Sequence, residues 1–330
     1  MRRRTLLSAS LGLASLAGLA YVGTLPTGLK PYTGSGLAFG TTVTIKVLHD
    51  DPEIAQAAIQ DALQQVKAVD ALMSLYQERS QVYQLNLHGR VDSPDPHLLQ
   101  VLASAQHLSG LTAGAFDVTV QPLWHTFSLA KAKGELPTAD QLAAAKTLVD
   151  WQKLEVSPEH VRLPAPGMAI TLNGLAQGYA VDLALAALHA KGIQHALLDT
   201  GEFGSLGNKT ATAPWLLGIK HPRLANALSA KLAMDGRRVA TSGDYETFFT
   251  ADFIHHHIFD PASGASPTGL ASVTVLAPTG IMADGLSTAF MVMGADKALA
   301  LATQLPAVDA LLIHKNGTIQ KTANFPQLSA

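Results

Sequence analysis

Cysteine is absent from all 330 residues, which excludes disulfides, thiolate metal sites, a cysteine nucleophile and a lipid-modified cysteine. If exported, such a chain relies on its core alone. A surplus of charge is missing too: 23 Lys and Arg oppose 25 Asp and Glu, a net charge of -2. That balance does not suit nucleic acid, whose phosphate backbone needs a basic face. Aromatic residues are 6% and charged residues 15%, against 48% hydrophobic, so a globular chain with a sizeable core is expected, as one large domain or two closely joined ones. Internal repeats and long linkers are lacking. Around Asn173 to Gly178 the glycines fit neither Gly-x-Gly-x-x-Gly nor Gly-x-x-x-x-Gly-Lys-Ser/Thr, and Ser242 has no Gly-x-Ser-x-Gly setting. A Rossmann loop, a P-loop and a hydrolase triad are therefore unsupported.

What is present begins with an apolar N-terminus. Arg2-Arg3-Arg4 precedes Thr5-Leu6-Leu7, a small-residue apolar run continues to Ala20, and Gly18-Leu19-Ala20 offers a small-x-small cleavage site. Serines and glycines break the run from Thr5 to Gly23, which is short for a membrane span, so a signal peptide over residues 1–22 is preferred to a retained anchor. The arginine pair before Leu-Leu resembles a twin-arginine signal, which exports proteins already folded and would suit a chain that acquires a cofactor first; a Sec signal is the alternative. A periplasmic location follows, with membrane contact only through a partner or an uncleaved signal. Residues 23–36, rich in Gly, Pro and Ser, read as a flexible leader, and 37–330 as one domain.

The chain is organised around Ile170 to Gly201. An apolar strand ends at Leu172, an Asn173-Gly174 turn follows, an Ala/Leu-rich helix runs to Lys191-Gly192, and His195 to Asp199 forms a second strand. Before it, Leu37 to Leu48 alternates as a first strand, and Pro52 to Leu75 has helical spacing. Ser74 to Asn86 is polar and interrupted, a helix runs from Pro96 through His107, and Lys131 to Val149 is a solvated helical excursion. Val156 to Leu172 reads as strands joined by Pro/Gly turns. After it come strands at Trp215–Lys220, Leu228–Ala233 and Ser272–Pro278, a helix at Ala283–Gly294, and a hairpin pairing Val308–Ile313 with Thr318–Lys321. Strands and helices do not alternate regularly, so the class is α+β.

Several residues could carry chemistry. The loop Asn173 to Gly178 can aim backbone N–H groups and a positive helix end at an anion such as phosphate, or serve only turn and packing. Asp284 and Thr288 share a helix face and form a hard-oxygen pair suited to Mg2+; equally, Asp284 could cap the helix and Thr288 pack inside. In His255-His256-His257 a strand would send the outer two to one face, leaving His257 as acid/base, phosphate contact or structural residue. Thr241-Ser242-Gly243-Asp244 reads as a polar turn that binds an anion or satisfies itself. Phe39, Tyr76, Phe116 and Trp124 could stack on a flat ring or pack in the core.

In order, AFGTTVTIKV (Ala38–Val47), VDALMSLYQERSQVYQLN (Val69–Asn86), TAGAFDVTVQPLW (Thr112–Trp124), LNGLAQGYAVD (Leu172–Asp182), VATSGDYETFF (Val239–Phe249), HHIFDPASG (His256–Gly264) and ADGLSTAFMVMG (Ala283–Gly294) resemble the ApbE family of FAD:protein FMN transferases. The resemblance implies an α+β, T-fold-related architecture of mixed sheets and packed helices with a flavin nucleotide site in a central cleft. It implies FAD as substrate, Mg2+, and transfer of FMN through a phosphoester to a Thr or Ser of a partner flavoprotein with release of AMP. It further implies Asp284, Thr288 and the carbonyl of Ala176 as metal ligands, with His257 and Asp284 catalytic. Asn173, Gly174, Ala176, Gln177 and Gly178 would border the pyrophosphate, Asp117, Thr241, Ser242, Asp244 and His257 the nucleotide, and Phe39, Tyr76, Ser80 and Asn86 the flavin or its ribityl chain.

Phe39 stands where the family commonly has Met, Val43 where Tyr is frequent and Gln177 where Lys is frequent, and LDTGEFGSLG (Leu198–Gly207) is one residue shorter than the family's common Gly-Gly-Asp form. The loop variant and the export signal look similar to the NosX branch, which implies a NosR-like membrane flavoprotein as partner. The same departures motivate a second reading, an FAD-binding carrier or assembly factor without transfer activity. A His-rich metal binder using His255 and His257 is a third.

Overall fold

Valine and isoleucine alternate with threonine and lysine in Thr41–His49, and the inward set, Val43, Ile45 and Val47, is fully buried. This strand is nevertheless the second of the chain. In the computed structural model, which describes residues 28–328, Lys30–Ala38 pairs with it through a hairpin closed by Phe39 and Gly40, both at positive φ. The expected signal peptide lies outside the described residues, as do residues 23–27 of the stretch read as a leader, but residues 30–36 of that stretch are strand. Its glycines have a packing reason: a Cβ on Gly34 would lie 2.2 Å from Ile59 Cγ2, so glycine lets a helix settle on the strand.

The helices are α1 (Pro52–Met73), α2 (Gln81–His88), α3 (Pro96–Leu111), α4 (Gln121–Ala132), α5 (Ala139–Lys146), α6 (Ala176–Ala190), α7 (Gly280–Met293) and α8 (Ala295–Gln304). The strands are β1 (Lys30–Ala38), β2 (Thr41–His49), β3 (Arg90–Asp92), β4 (Glu155–Val156), β5 (His160–Arg162), β6 (His195–Asp199), β7 (Phe203–Leu206), β8 (Leu216–Lys220), β9 (Leu228–Ala233), β10 (Arg238–Gly243), β11 (Leu270–Ala277), β12 (Asp309–His314) and β13 (Ile319–Lys321). Eight strands form one sheet in the order β1-β2-β6-β7-β10-β11-β12-β13; β3-β5-β4 and β8-β9 form two smaller sheets. The class is α+β as expected, and every strand pairing among the described residues is antiparallel.

The large sheet is covered on both faces. On one, α1, α6 and α7 bury Ile59, Leu185, Phe290 and their neighbours in the main core. On the other, β8, β9 and Phe325 close over Leu197, Leu276 and Leu311. Buried on both sides, β11 is continuously apolar or small, LASVTVLA, and has no exposed position. No helix among the described residues is long and apolar enough to cross a membrane.

Local expectations failed where tertiary contacts replace local pattern. The polar Ser74–Asn86 segment holds α2, capped by Ser80, and Ala295–Gln304 is the unforeseen α8. Ile170 to Leu172 is not a strand: Asn86 accepts from the Ile170 amide (2.7 Å) and donates to its carbonyl (2.8 Å), taking the backbone groups a sheet would use. Thr241 and Ser242 lie within β10, not in a turn, and the histidine triplet is no strand but an isolated bridge from His256 to Phe248.

Candidate active site

A buried carboxylate on α7 meets the start of α6. Leu175, before α6, offers its helix no side-chain cap, and the third residue, Gly178, donates its amide to Asp284 Oδ2 at 3.0 Å. Asp284 thus stands at the positive end of α6, on the third amide of the helix. The approach requires glycines: a Cβ on Gly178 would lie 2.1 Å from the Gly280 carbonyl oxygen, and one on Gly280 would lie 2.2 Å from that of Gly178. Burial pushes the Asp284 carboxyl up to about 7.

Further contacts close a ring. One turn beyond Asp284, Thr288 Oγ1 lies 3.2 Å from Ser242 Oγ, which also meets Ser287 Oγ at 2.7 Å. Gly174 sits against the same hydroxyl, since its Cβ would lie 3.0 Å from Thr288 Oγ1. Beside Ser242, the Thr241 amide donates to Glu202 Oε2 at 3.0 Å. The turn carrying Glu202 is tied back to α6, because Gln177 Nε2 donates to the Thr200 carbonyl at 2.6 Å. Asp284, Gly178, Gln177, Thr200, Glu202, Thr241, Ser242 and Thr288 thus form a closed circuit. Glu202 is buried and its carboxyl is raised, first by burial and then by the charge of Asp284.

A second group stands on the segment after β10. His257 Nδ1 lies 3.0 Å from the Thr247 carbonyl and so donates its proton there, leaving the Nε2 lone pair free. Burial lowers the pKa of this half-buried ring, which keeps it neutral. Behind it, fully buried Asp244 accepts both ends of the Arg223 guanidinium at 2.7 Å, with Lys315 Nζ at 3.5 Å. Arg223 also lies 4.3 Å from the Phe253 ring centre. His256 is buried, donates from Nε2 to the Pro267 carbonyl, and is pushed down to about 4 by burial. His255 instead faces the Phe127 ring. Three environments separate the histidines, and among the described residues no group of three or more His, Cys, Asp or Glu is placed to hold a metal ion.

The other predicted positions are placed as follows. Asp117 caps a short turn through Thr119 N–H and Oγ1–H and accepts from the Trp151 amide, so its carboxylate is spent on structure. It also lines a cleft of about 660 Å³ between Ser109–Gly114, Val149–Gln152 and Pro261–Ala262, while neighbouring Phe116 reaches Gly174. Ser80 donates to the Ser74 carbonyl and caps α2, and Asn86 clamps Ile170 just ahead of the Asn173 loop. Tyr76 is 74% exposed and Phe39 sits at a hairpin tip. Asn173 is exposed, and Ala176 is the buried first residue of α6. Val43 is buried in the core and Gln177 anchors a loop, so both departures from the family have structural roles here. Sequence reasoning missed Glu202, Thr200, Ser287 and Arg223. Ser287, beside Thr288 on one helix, carried a spacing signal; Arg223, in a loop, carried none.

The sequence model described as the ApbE family matches residues 39–312. The FAD:protein FMN transferase of Haemophilus influenzae is 33% identical over 310 residues, covering 88% of this chain and 89% of that protein. Among solved structures, the ApbE protein of Thermotoga maritima superposes with a TM-score of 0.80 at 28% identity, covering 91% of this chain and all of that one. The flavin transferase ApbE of Vibrio cholerae gives 0.79 at 27% identity, with the same coverage.

Proposed function

The chain belongs to the ApbE family and is an FAD:protein FMN transferase, and on that premise we propose an exported, Mg2+-dependent enzyme whose acceptor is a Thr or Ser hydroxyl of a partner flavoprotein. The acceptor oxygen bonds to the FMN phosphorus as the pyrophosphate P–O bond breaks. AMP departs with the electron pair, and the hydroxyl proton passes to a base. His257 is suited to that role, since Thr247 fixes its tautomer and burial keeps its Nε2 unprotonated.

Support for a hard divalent cation comes from the donor set. Asp284 and the Thr288 hydroxyl offer oxygen ligands only, and among the described residues the buried Asp284 carboxyl has no Lys or Arg partner. Among the described residues fewer than three acidic or imidazole groups converge, so remaining positions would fall to hydroxyls, water and the substrate's own phosphates, which Mg2+ accepts readily. Such an ion supplies charge neutralisation on the non-bridging phosphate oxygens. The chain's own part is to orient the pyrophosphate over the Asn173–Gly178 loop and seat the nucleotide beside the cleft that Asp117 lines.

The observation that carries this reading is the circuit joining Asp284 and Thr288 to the Asn173–Gly178 loop. Purified protein incubated with FAD, Mg2+ and a target flavoprotein fragment should yield a covalent FMN adduct by mass spectrometry, and Asp284→Ala should abolish it. Unchanged transfer by that variant would remove the metal assignment. Tight FAD binding without AMP release would instead favour a carrier. The Arg2-Arg3-Arg4 signal supports periplasmic placement by the twin-arginine or Sec route, and the NosX-like loop supports a NosR-like membrane protein as target.

A further inference from the structure

We propose that Glu202 is a second carboxylate of the cation site and that Gln177 is the positioning residue that holds it there, an inference that rests on the metal-dependent reading above. The turn between β6 and β7 is built to deliver this side chain inward. Thr200 donates to the Glu202 carbonyl from its amide at 2.9 Å and from Oγ1 at 3.2 Å, tightening the turn. Gly201 has φ +101, and a Cβ there would lie 2.2 Å from Gln177 Nε2; glycine is what admits the amide to the Thr200 carbonyl. Gln177 in turn precedes Gly178, whose N–H fixes Asp284. One residue pair on α6 thereby sets both carboxylates.

The two acids are held alike. Each has one oxygen fixed by a backbone amide, Gly178 on Asp284 Oδ2 and Thr241 on Glu202 Oε2. Around Glu202 the charges of Asp284, Asp199 and Glu246 are all negative. Of these only Asp284 is buried like Glu202, Asp199 having Lys220 and Lys46 near it and Glu246 being exposed; two buried acids side by side are costly to ionise, and a bound cation would offset that cost. The hydroxyls of Thr288 and Ser242 stand on the same circuit. Gln177 therefore works toward the cation through the protein and not through the pyrophosphate.

The test measures Mn2+ binding to the mature chain by electron paramagnetic resonance, together with melting temperature in chelator, without FAD turnover. Glu202→Gln is near-isosteric with the carboxyl that burial keeps protonated; it should melt no lower than the parent in chelator, yet bind Mn2+ about 10-fold or more weakly. Gln177→Ala should also weaken Mn2+ by about 10-fold, as outer-shell substitutions do, with its circular dichroism unchanged. Parent-like binding by Glu202→Gln, alongside loss in Asp284→Asn, overturns the role of Glu202 and leaves the metal-dependent reading standing. Weak binding by Glu202→Gln with parent-like binding by Gln177→Ala overturns the positioning role alone. Equal binding by the parent and Asp284→Asn overturns the metal reading itself.

Discussion

Gly178 donates its amide to Asp284 across 106 residues of chain, and the two helix starts touch so closely that the Gly178 and Gly280 backbones leave no room for a Cβ on either. The helix crossing and the placement of the acid are therefore one structural feature. Gly178→Ala should lower stability by roughly 3 kcal/mol, because backbone and not a flexible side chain must yield, and transfer should fall with it. Urea unfolding and an adduct assay below the transition check both.

The raised pKa of Asp284 gives a pH signature in chelator. Unfolded, the carboxyl releases its proton near 3.8; folded, it holds the proton to about 7. Between those values the folded state binds more protons, so stability falls as pH rises through the window. Asp284→Asn should flatten that slope and melt above the parent at pH 8. A parent slope that persists in the variant would assign it to other groups.

His256 works with the opposite slope. Its folded pKa of about 4 lies below the unfolded value of 6.5, so the unfolded chain takes up the proton first and stability falls as pH drops through 6.5 toward 4. By linkage the loss at pH 5 is about 2 kcal/mol relative to pH 7.5. His256→Gln should remove that component from urea midpoints measured at the two pH values.

Arg223 and Asp244 should behave as a unit. Asp244 has no exposed side chain and Arg223 binds it at both ends. Arg223→Ala leaves a buried carboxylate and should cost about 3–5 kcal/mol, tempered by Lys315 at 3.5 Å. Adding Asp244→Asn should recover a good part of the loss. A double-mutant cycle in guanidinium measures the coupling, and additive losses would contradict it.

Asn86 separates scaffold from flavin contact. Removing its two bonds to Ile170 should cost about 2–4 kcal/mol in Asn86→Ala, since a backbone N–H and C=O lose their partners. The KM for FAD should change little at a temperature where the variant is folded; a rise of tenfold would place the amide on the flavin instead.

Periodicity and capping made much of the fold legible. Asp51 before Pro52 caps α1 through the amides of Glu53 and Ile54, Gly192 at positive φ follows α6, and β6 spans the predicted His195–Asp199. The stretch from Lys30 to Gly36 was not legible, because its glycines report the nearness of Ile59 and Leu63 on α1 and so resemble a linker when read alone.

By itself the sequence determined the helix faces, most strands and the ordered motifs that mark the family, since those depend on neighbours within a few residues. Tertiary structure alone decided which polar side chains are free for chemistry. Ser80, Asn86, Asp117 and Asp244 look like ligands in the chain, yet their bonds go to Ser74, Ile170, Trp151 and Arg223. Glu202 gave little sign of a role and lies on the circuit with Asp284. A hydrogen bond needs its partner within about 3 Å, and only folding sets that distance.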